Sequence, residues 1–158
     1  MKKEFFDVLF KEMKTNKDIY MIFIDLGWPR VDEFLHEFPD RAITVGAAEQ
    51  TALDIAVGLA YENKIPFVYT ITPFLFRGFE TIRTYIDHDN LNVKLIGAGR
   101  DEDYSFDHGF SHDAKDTEKI FNLFENITQI WPTDKIEIET MVQAMIKNKR
   151  PEFLSLGR

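Results

Sequence analysis

The run Ile19-Tyr20-Met21-Ile22-Phe23-Ile24 restricts the fold of this chain more than any other feature. Six consecutive apolar or aromatic residues, too few for a buried helix, have the pattern of a strand covered on both faces. Such strands belong to parallel sheets held between layers of helices. The rest of the chain supplies what that architecture needs. Residues 3–14 carry Phe5, Phe6, Leu9 and Met13 at helical spacing. A short helix over 31–38 stops before Pro39. Strand-like runs follow at 41–45, 65–71, 92–96, 127–131 and 153–156. Helical stretches lie between them at about 50–62, 78–88, 116–124 and 136–148, and Pro132-Thr133-Asp134 makes a turn with an N-cap. Residues 73–77 and 97–111 read as loops. The alternation predicts an α/β fold, a three-layer, mostly parallel sheet with helices on both faces.

Composition narrows the function. A chain of 158 residues with 44% hydrophobic and 29% charged residues is expected to form one domain with a real core. A net charge of −8 argues against a nucleic-acid backbone as the main partner. The absence of cysteine rules out disulfides and thiolate metal sites and suits a reducing, cytoplasmic setting. The first residues carry acids and no small-residue cleavage site, so they do not read as a signal peptide, and no apolar run reaches the length of a membrane span. Fifteen phenylalanines is a high number. Phe74, Phe76, Phe79, Phe106 and Phe110 fall in loops or at helix starts, where they are expected to fill an interface.

The stretch Val45-Gly46-Ala47-Ala48-Glu49-Gln50-Thr51 places a carboxylate at the seam between a short strand and an apolar helix. Gly46, Ala47 and Ala48 leave the backbone open to close approach by a flat ligand or a partner chain. Glu49 is followed by Ala52, Leu53, Ile55, Ala56 and Val57, so its charge is expected to be poorly solvated and to need a partner. A first-turn glutamate favoured by the helix dipole fits the same local sequence. Ligands of parallel α/β sheets sit beyond the carboxyl ends of the strands. Glu49, Phe74 and the 97–112 loop all follow strand ends and are expected to meet on one edge.

Several motifs, in order, extend this reading: Gly46-Ala-Ala-Glu-Gln50, Ile55-Ala-Val-Gly-Leu-Ala60, Ile65-Pro-Phe-Val-Tyr69, Phe74-Leu-Phe-Arg-Gly-Phe-Glu-Thr-Ile82, Leu91-Asn-Val-Lys-Leu95, His108-Gly-Phe-Ser-His112, Trp131-Pro-Thr-Asp134 and Leu156-Gly-Arg158. The series resembles the pyrimidine-binding middle domain of transketolases over nearly the whole chain, and in its Phe74–Ile82 segment it is most similar to 1-deoxyxylulose-5-phosphate synthase. The resemblance implies thiamine diphosphate as cofactor, with Glu49 hydrogen-bonding the ring nitrogen of the aminopyrimidine and assisting deprotonation of the thiazolium carbon. Ala48 and Gln50 flank it in the cofactor site, and Phe74 stacks on the ring. Arg77 and Arg158 match arginines that bind phosphate, and His112 matches a histidine that contacts substrate oxygens and moves protons. His108 stands where the family has an aspartate that reads a substrate hydroxyl, a departure that bears on sugar specificity. A metal pair of His108 and His112 would need a helix, which Gly109 disfavours, so no metal ligand is assigned in this chain.

The Gly-Asp-Gly motif and downstream Asn that hold Mg²⁺ against the cofactor diphosphate do not occur in the sequence, nor does a third, C-terminal domain. The resemblance therefore implies one pyrimidine-binding domain over 1–158, working with a separate diphosphate-binding subunit that holds Mg²⁺. The assembly would be a homodimer or heterotetramer, acting on a small sugar substrate. The expected activity is transfer of a two-carbon ketol unit between sugars. Two alternatives remain: a keto-acid decarboxylating component, and a non-catalytic assembly module.

Overall fold

The computed structural model of the chain describes every residue except 26–28 and 158. Among the described residues six strands form one sheet: β1 (Ile19–Phe23), β2 (Ala42–Thr44), β3 (Ile65–Ile71), β4 (Lys94–Ala98), β5 (Thr128–Ile130) and β6 (Glu152–Leu156). The order is β2-β1-β3-β4-β6-β5, and every neighbouring pair is parallel. α1 (Lys2–Thr15) precedes the first strand, and the connections carry α2 (Pro29–Glu37), α3 (Glu49–Tyr61), α4 (Phe79–Thr81), α5 (Ser105–His108), α6 (Thr117–Phe121) and α7 (Glu137–Lys147).

Strand residues alternate between two cores, because successive side chains point to opposite faces. Ile19, Met21 and Phe23 of β1 join Phe5, Phe6 and Leu9 of α1, Phe34 of α2 and Met145 of α7. Ile22, on the other face, joins Ala52 and Leu53 of α3, Ile82, Ile86 and Phe121. The result is the three-layer α/β arrangement read from the sequence, with α1, α2 and α7 on one face and α3, α4 and α6 on the other. The connection from β1 to β2 runs over the first face and that from β2 to β3 over the second. The chain thus departs in opposite directions from the β1–β3 boundary, the place where a crevice opens in such sheets.

Several local expectations are corrected. Residues 73–77 are not an irregular loop but part of a 3-10 turn, Thr72–Gly78. The helix expected over 78–88 is α4 prolonged by a π-helical turn, Ile82–Asp87. β4 lies two residues later than 92–96 and takes in Gly97 and Ala98. Gly97 fits there because a Cβ would meet Thr72 Oγ1 at 2.5 Å and the Phe153 ring at 2.9 Å. The 97–111 segment contains α5 and leads into a 3-10 turn, Phe110–His112, separated by Gly109 at φ +80°. Phe76 and Phe79 are half-buried. They pack on Phe121 and Phe124, with ring centroids 5.7 and 5.4 Å apart. Phe106 and Phe110 are 95% and 88% exposed.

Candidate functional site

Four chain segments meet beyond the carboxyl ends of the central strands. β1 is followed by Ile24 and Asp25. The turn after β2 has Gly46 at φ +63°, a left-handed conformation that favours glycine, and it delivers Ala47 and the first residue of α3, Glu49. β3 contributes Thr70 and Ile71, and the 3-10 turn that follows contributes Phe74 and Arg77. His112 arrives from the segment after β4. Together these nine residues line a cleft of about 340 Å³.

Local structure explains how the side chains converge. Side chains at i and i+3 of a 3-10 turn eclipse one another. Leu75 and Gly78 accordingly face the core and are buried, while Phe74 and Arg77 share the opposite, cleft side. The turn is fastened to the end of β4 by Thr72, whose hydroxyl donates to Gly99 O at 2.7 Å. Glu49 is only 5% exposed. Arg77 Nη1 donates to Glu49 Oε1 at 2.5 Å, while the arginine itself stays 53% exposed. The Arg77 guanidinium carbon also lies 4.4 Å from the Phe74 ring centroid. His112 meets Phe74 edge-on, with centroids 4.9 Å apart. Burial, followed by the neighbouring His108 and the Arg77 charge, holds the His112 imidazole below its ordinary pKa of 6.5. Thr70 lines the cleft, and its buried Oγ1 has no hydrogen-bond partner among the described residues.

The structure thus brings together Glu49, Phe74, Arg77 and His112 among the residues singled out in the sequence. Gln50 lies elsewhere. Its amide donates to Asp54 Oδ1 at 2.9 Å and to the Thr81 hydroxyl, on the outer side of α3. Ala48 occupies the N-cap position of α3 behind the cleft wall, which Ala47 forms instead. His108 is exposed and reaches the site only through His112, 5.0 Å away ring to ring. Arg158 lies outside the described residues. Nothing in the sequence singles out Asp25 or Thr70 for the site, because their approach to Glu49 depends on strand order, whereas Ala47 belongs to the small-residue stretch read as open to a flat ligand.

A larger groove of about 590 Å³ is lined by Phe79, Arg83, His88, Phe124 and Asn126, among others. Of its carboxylates, the buried Asp87 accepts from the backbone N–H groups of Glu125, Asn126 and Ile127 and fixes the entry to β5. Among the described residues no group of three histidines or carboxylates is placed to hold a metal ion. Among them, too, no helix is long and apolar enough to cross a membrane.

A parallel α/β domain with a buried carboxylate and an aromatic wall in a cleft at the switch point of its sheet has the layout of a ligand-binding domain. The chain belongs to the transketolase, pyrimidine binding domain family, whose model matches residues 1–158. It is 28% identical over 160 residues to a putative transketolase C-terminal section of Methanocaldococcus jannaschii, covering 100% of this chain and 50% of that protein. It is 30% identical over 146 residues to one subunit of the apulose-4-phosphate transketolase of Actinobacillus succinogenes, covering 91% of this chain and 47% of that one. A solved structure described as a split gene transketolase, inactive β4 tetramer, superposes with a TM-score of 0.86 at 28% identity, over 99% of this chain and 51% of the other. The chain therefore spans about half the length of these relatives.

Proposed function

We propose that this chain is the pyrimidine-binding part of a split, thiamine diphosphate-dependent, transketolase-like enzyme that transfers a two-carbon ketol unit between sugar or sugar-phosphate substrates. The buried Glu49 carboxylate, aimed into a cleft walled by Phe74, carries the reading. The residues present fit an aminopyrimidine. Glu49 supplies a desolvated carboxylate for a ring nitrogen, Phe74 a flat apolar face, Thr70 an unpartnered hydroxyl and Ala47 a wall without bulk. When bound, thiamine diphosphate supplies the nucleophilic carbon that a protein side chain lacks. The chain's own contribution is to orient the ring, exclude water and place a proton acceptor, His112, held neutral by burial and by its cationic neighbour.

Under this reading Arg77 and Arg158 recognise an anionic group of the substrate, and His108 contacts its hydroxyls in place of the family's aspartate. The diphosphate and its Mg²⁺ belong to a partner subunit, in a cytoplasmic homodimer or heterotetramer. The Phe74-Leu-Phe-Arg77 segment also favours a second reading, condensation of an α-keto acid with an aldose, and product analysis with a keto acid against a ketose phosphate separates the two. Glu49→Gln in the chain reconstituted with its diphosphate-binding partner is expected to lower turnover by roughly 10²–10⁴-fold. Unchanged turnover would instead favour a non-catalytic assembly role.

A further inference from the structure

Arg77 makes two contacts at once. Its guanidinium donates to Glu49 Oε1 at 2.5 Å and lies over the Phe74 ring, 4.4 Å from its centroid. A planar cation rich in N–H groups therefore covers both the buried carboxylate and the aromatic face. Those are the two surfaces that an aminopyrimidine would use. We propose that Arg77 is an internal stand-in for the cofactor ring: it pairs with Glu49 in the cofactor-free chain, gives way when the ring binds, and is thereby released to an anionic group of the substrate.

The inference rests on the proposed cofactor site but goes beyond it, since it couples cofactor and substrate through one side chain. A carboxylate that is 5% exposed needs a partner in the empty state, and Arg77 is the cation placed to serve. The exchange requires little rearrangement. Arg77 is 53% exposed, so its charge can pass to water by rotamer change alone. Its backbone stays in the 3-10 turn that Thr72 fastens to β4. Two flat groups cannot share one face of Phe74 beside the same carboxylate oxygen, so ring and guanidinium exclude each other. An anionic substrate then finds a free Arg77 only after the ring has arrived, which orders the two binding events.

The test compares wild type, Arg77→Met, Arg77→Lys and Glu49→Gln, with circular dichroism to establish folding. Thiamine diphosphate is titrated by calorimetry into the chain reconstituted with its diphosphate-binding partner. Arg77→Met is expected to bind the cofactor roughly tenfold more tightly than wild type, because it removes the competitor and leaves Glu49 unpaired. It is also expected to raise KM for a phosphorylated substrate with little change in kcat. Arg77→Lys, a point charge that cannot lie flat on Phe74, is expected to fall between them. A second arm needs no cofactor. Inorganic phosphate, titrated into the chain alone and followed by NMR of the arginine side chains, is expected to perturb Arg77 in Glu49→Gln at concentrations that leave wild type unchanged. Weaker cofactor binding in Arg77→Met would overturn the exchange, since Arg77 would then support Glu49 in the bound state. Equal affinity in wild type and Arg77→Met, with binding lost in Glu49→Gln, would overturn the exchange and leave the cofactor site standing. Failure of every form to bind would overturn the site and the exchange with it.

Discussion

His112 is the residue whose chemistry depends most on its surroundings. Burial, His108 and Arg77 all push its pKa down, so the folded chain favours the neutral imidazole. NMR titration should place its midpoint below 6.5, and Arg77→Met or His108→Asn should move it back up, each by removing one cause. The sign for stability follows. The unfolded state takes up the proton first as pH falls, so the stability contributed by a neutral His112 is present above 6.5. It is lost as pH drops from 6.5 through the lowered folded value. A His112 midpoint above 6.5 would contradict the site's electrostatics. At this scale the sequence was legible where the site is written as a local motif, as in Phe74-Leu-Phe-Arg77. It misled where neighbours in sequence were given one role. Glu49 and Gln50 are adjacent, but consecutive helical residues point about 100° apart. Glu49 faces the cleft, while Gln50 turns out to Asp54 and Thr81. Thr70 was illegible for another reason: its hydroxyl is notable only because no described residue pairs with it.

Among the elements, β4 and β6 are joined by a device that strand patterning did not reveal. Lysine is ordinarily a surface residue, yet Lys94, at the start of β4, is fully buried. Its ammonium donates to Glu152 at 2.6 Å and to the carbonyls of Asn148 and Arg150 at 3.0 and 2.7 Å, tying the end of α7 and the following turn to the first residues of both strands. Asn148 closes the circuit by donating to the other Glu152 oxygen at 2.9 Å. Burial lowers the Lys94 pKa, and the Glu152 contact opposes that shift. Removing one member of such a pair leaves a buried charge without compensation. Lys94→Met is expected to cost about 3–5 kcal/mol in urea unfolding, and Lys94→Met with Glu152→Leu is expected to recover much of it. A Lys94→Met chain as stable as wild type would show that the pair does not clamp the sheet. The strands themselves were legible because apolar runs of four to seven residues have few other uses. The 3-10 and π turns after β3 were not, since their tightening and widening are set by contacts such as Thr72 with Gly99 and Asp87 with the backbone at Asn126.

For the whole molecule, the sheet order explains why chemistry gathers at one edge and why that edge is one-sided. Every wall of the cleft comes from the ends of β1 to β4 and the segments after them, and the segment after β4 that delivers His112 also carries Phe106 and Phe110. These two side chains, 95% and 88% exposed, bracket His108 in sequence, and large apolar side chains left so exposed mark a surface suited to a partner. A diphosphate-binding subunit docked there would bury both rings and complete the cleft in one step. Burial of a phenylalanine contributes about 1.5–3 kcal/mol, so losing two should shift a binding equilibrium by tenfold or more. Phe106→Ser with Phe110→Ser is therefore expected to leave circular dichroism and thermal unfolding of the chain unchanged. It should raise at least about tenfold the partner concentration needed for half-maximal turnover with thiamine diphosphate and Mg²⁺. The unmodified chain alone should show no turnover at any cofactor concentration. Reconstitution that is indifferent to both substitutions would move the docking face elsewhere on the molecule, and turnover by the chain without a partner would contradict the half-site altogether.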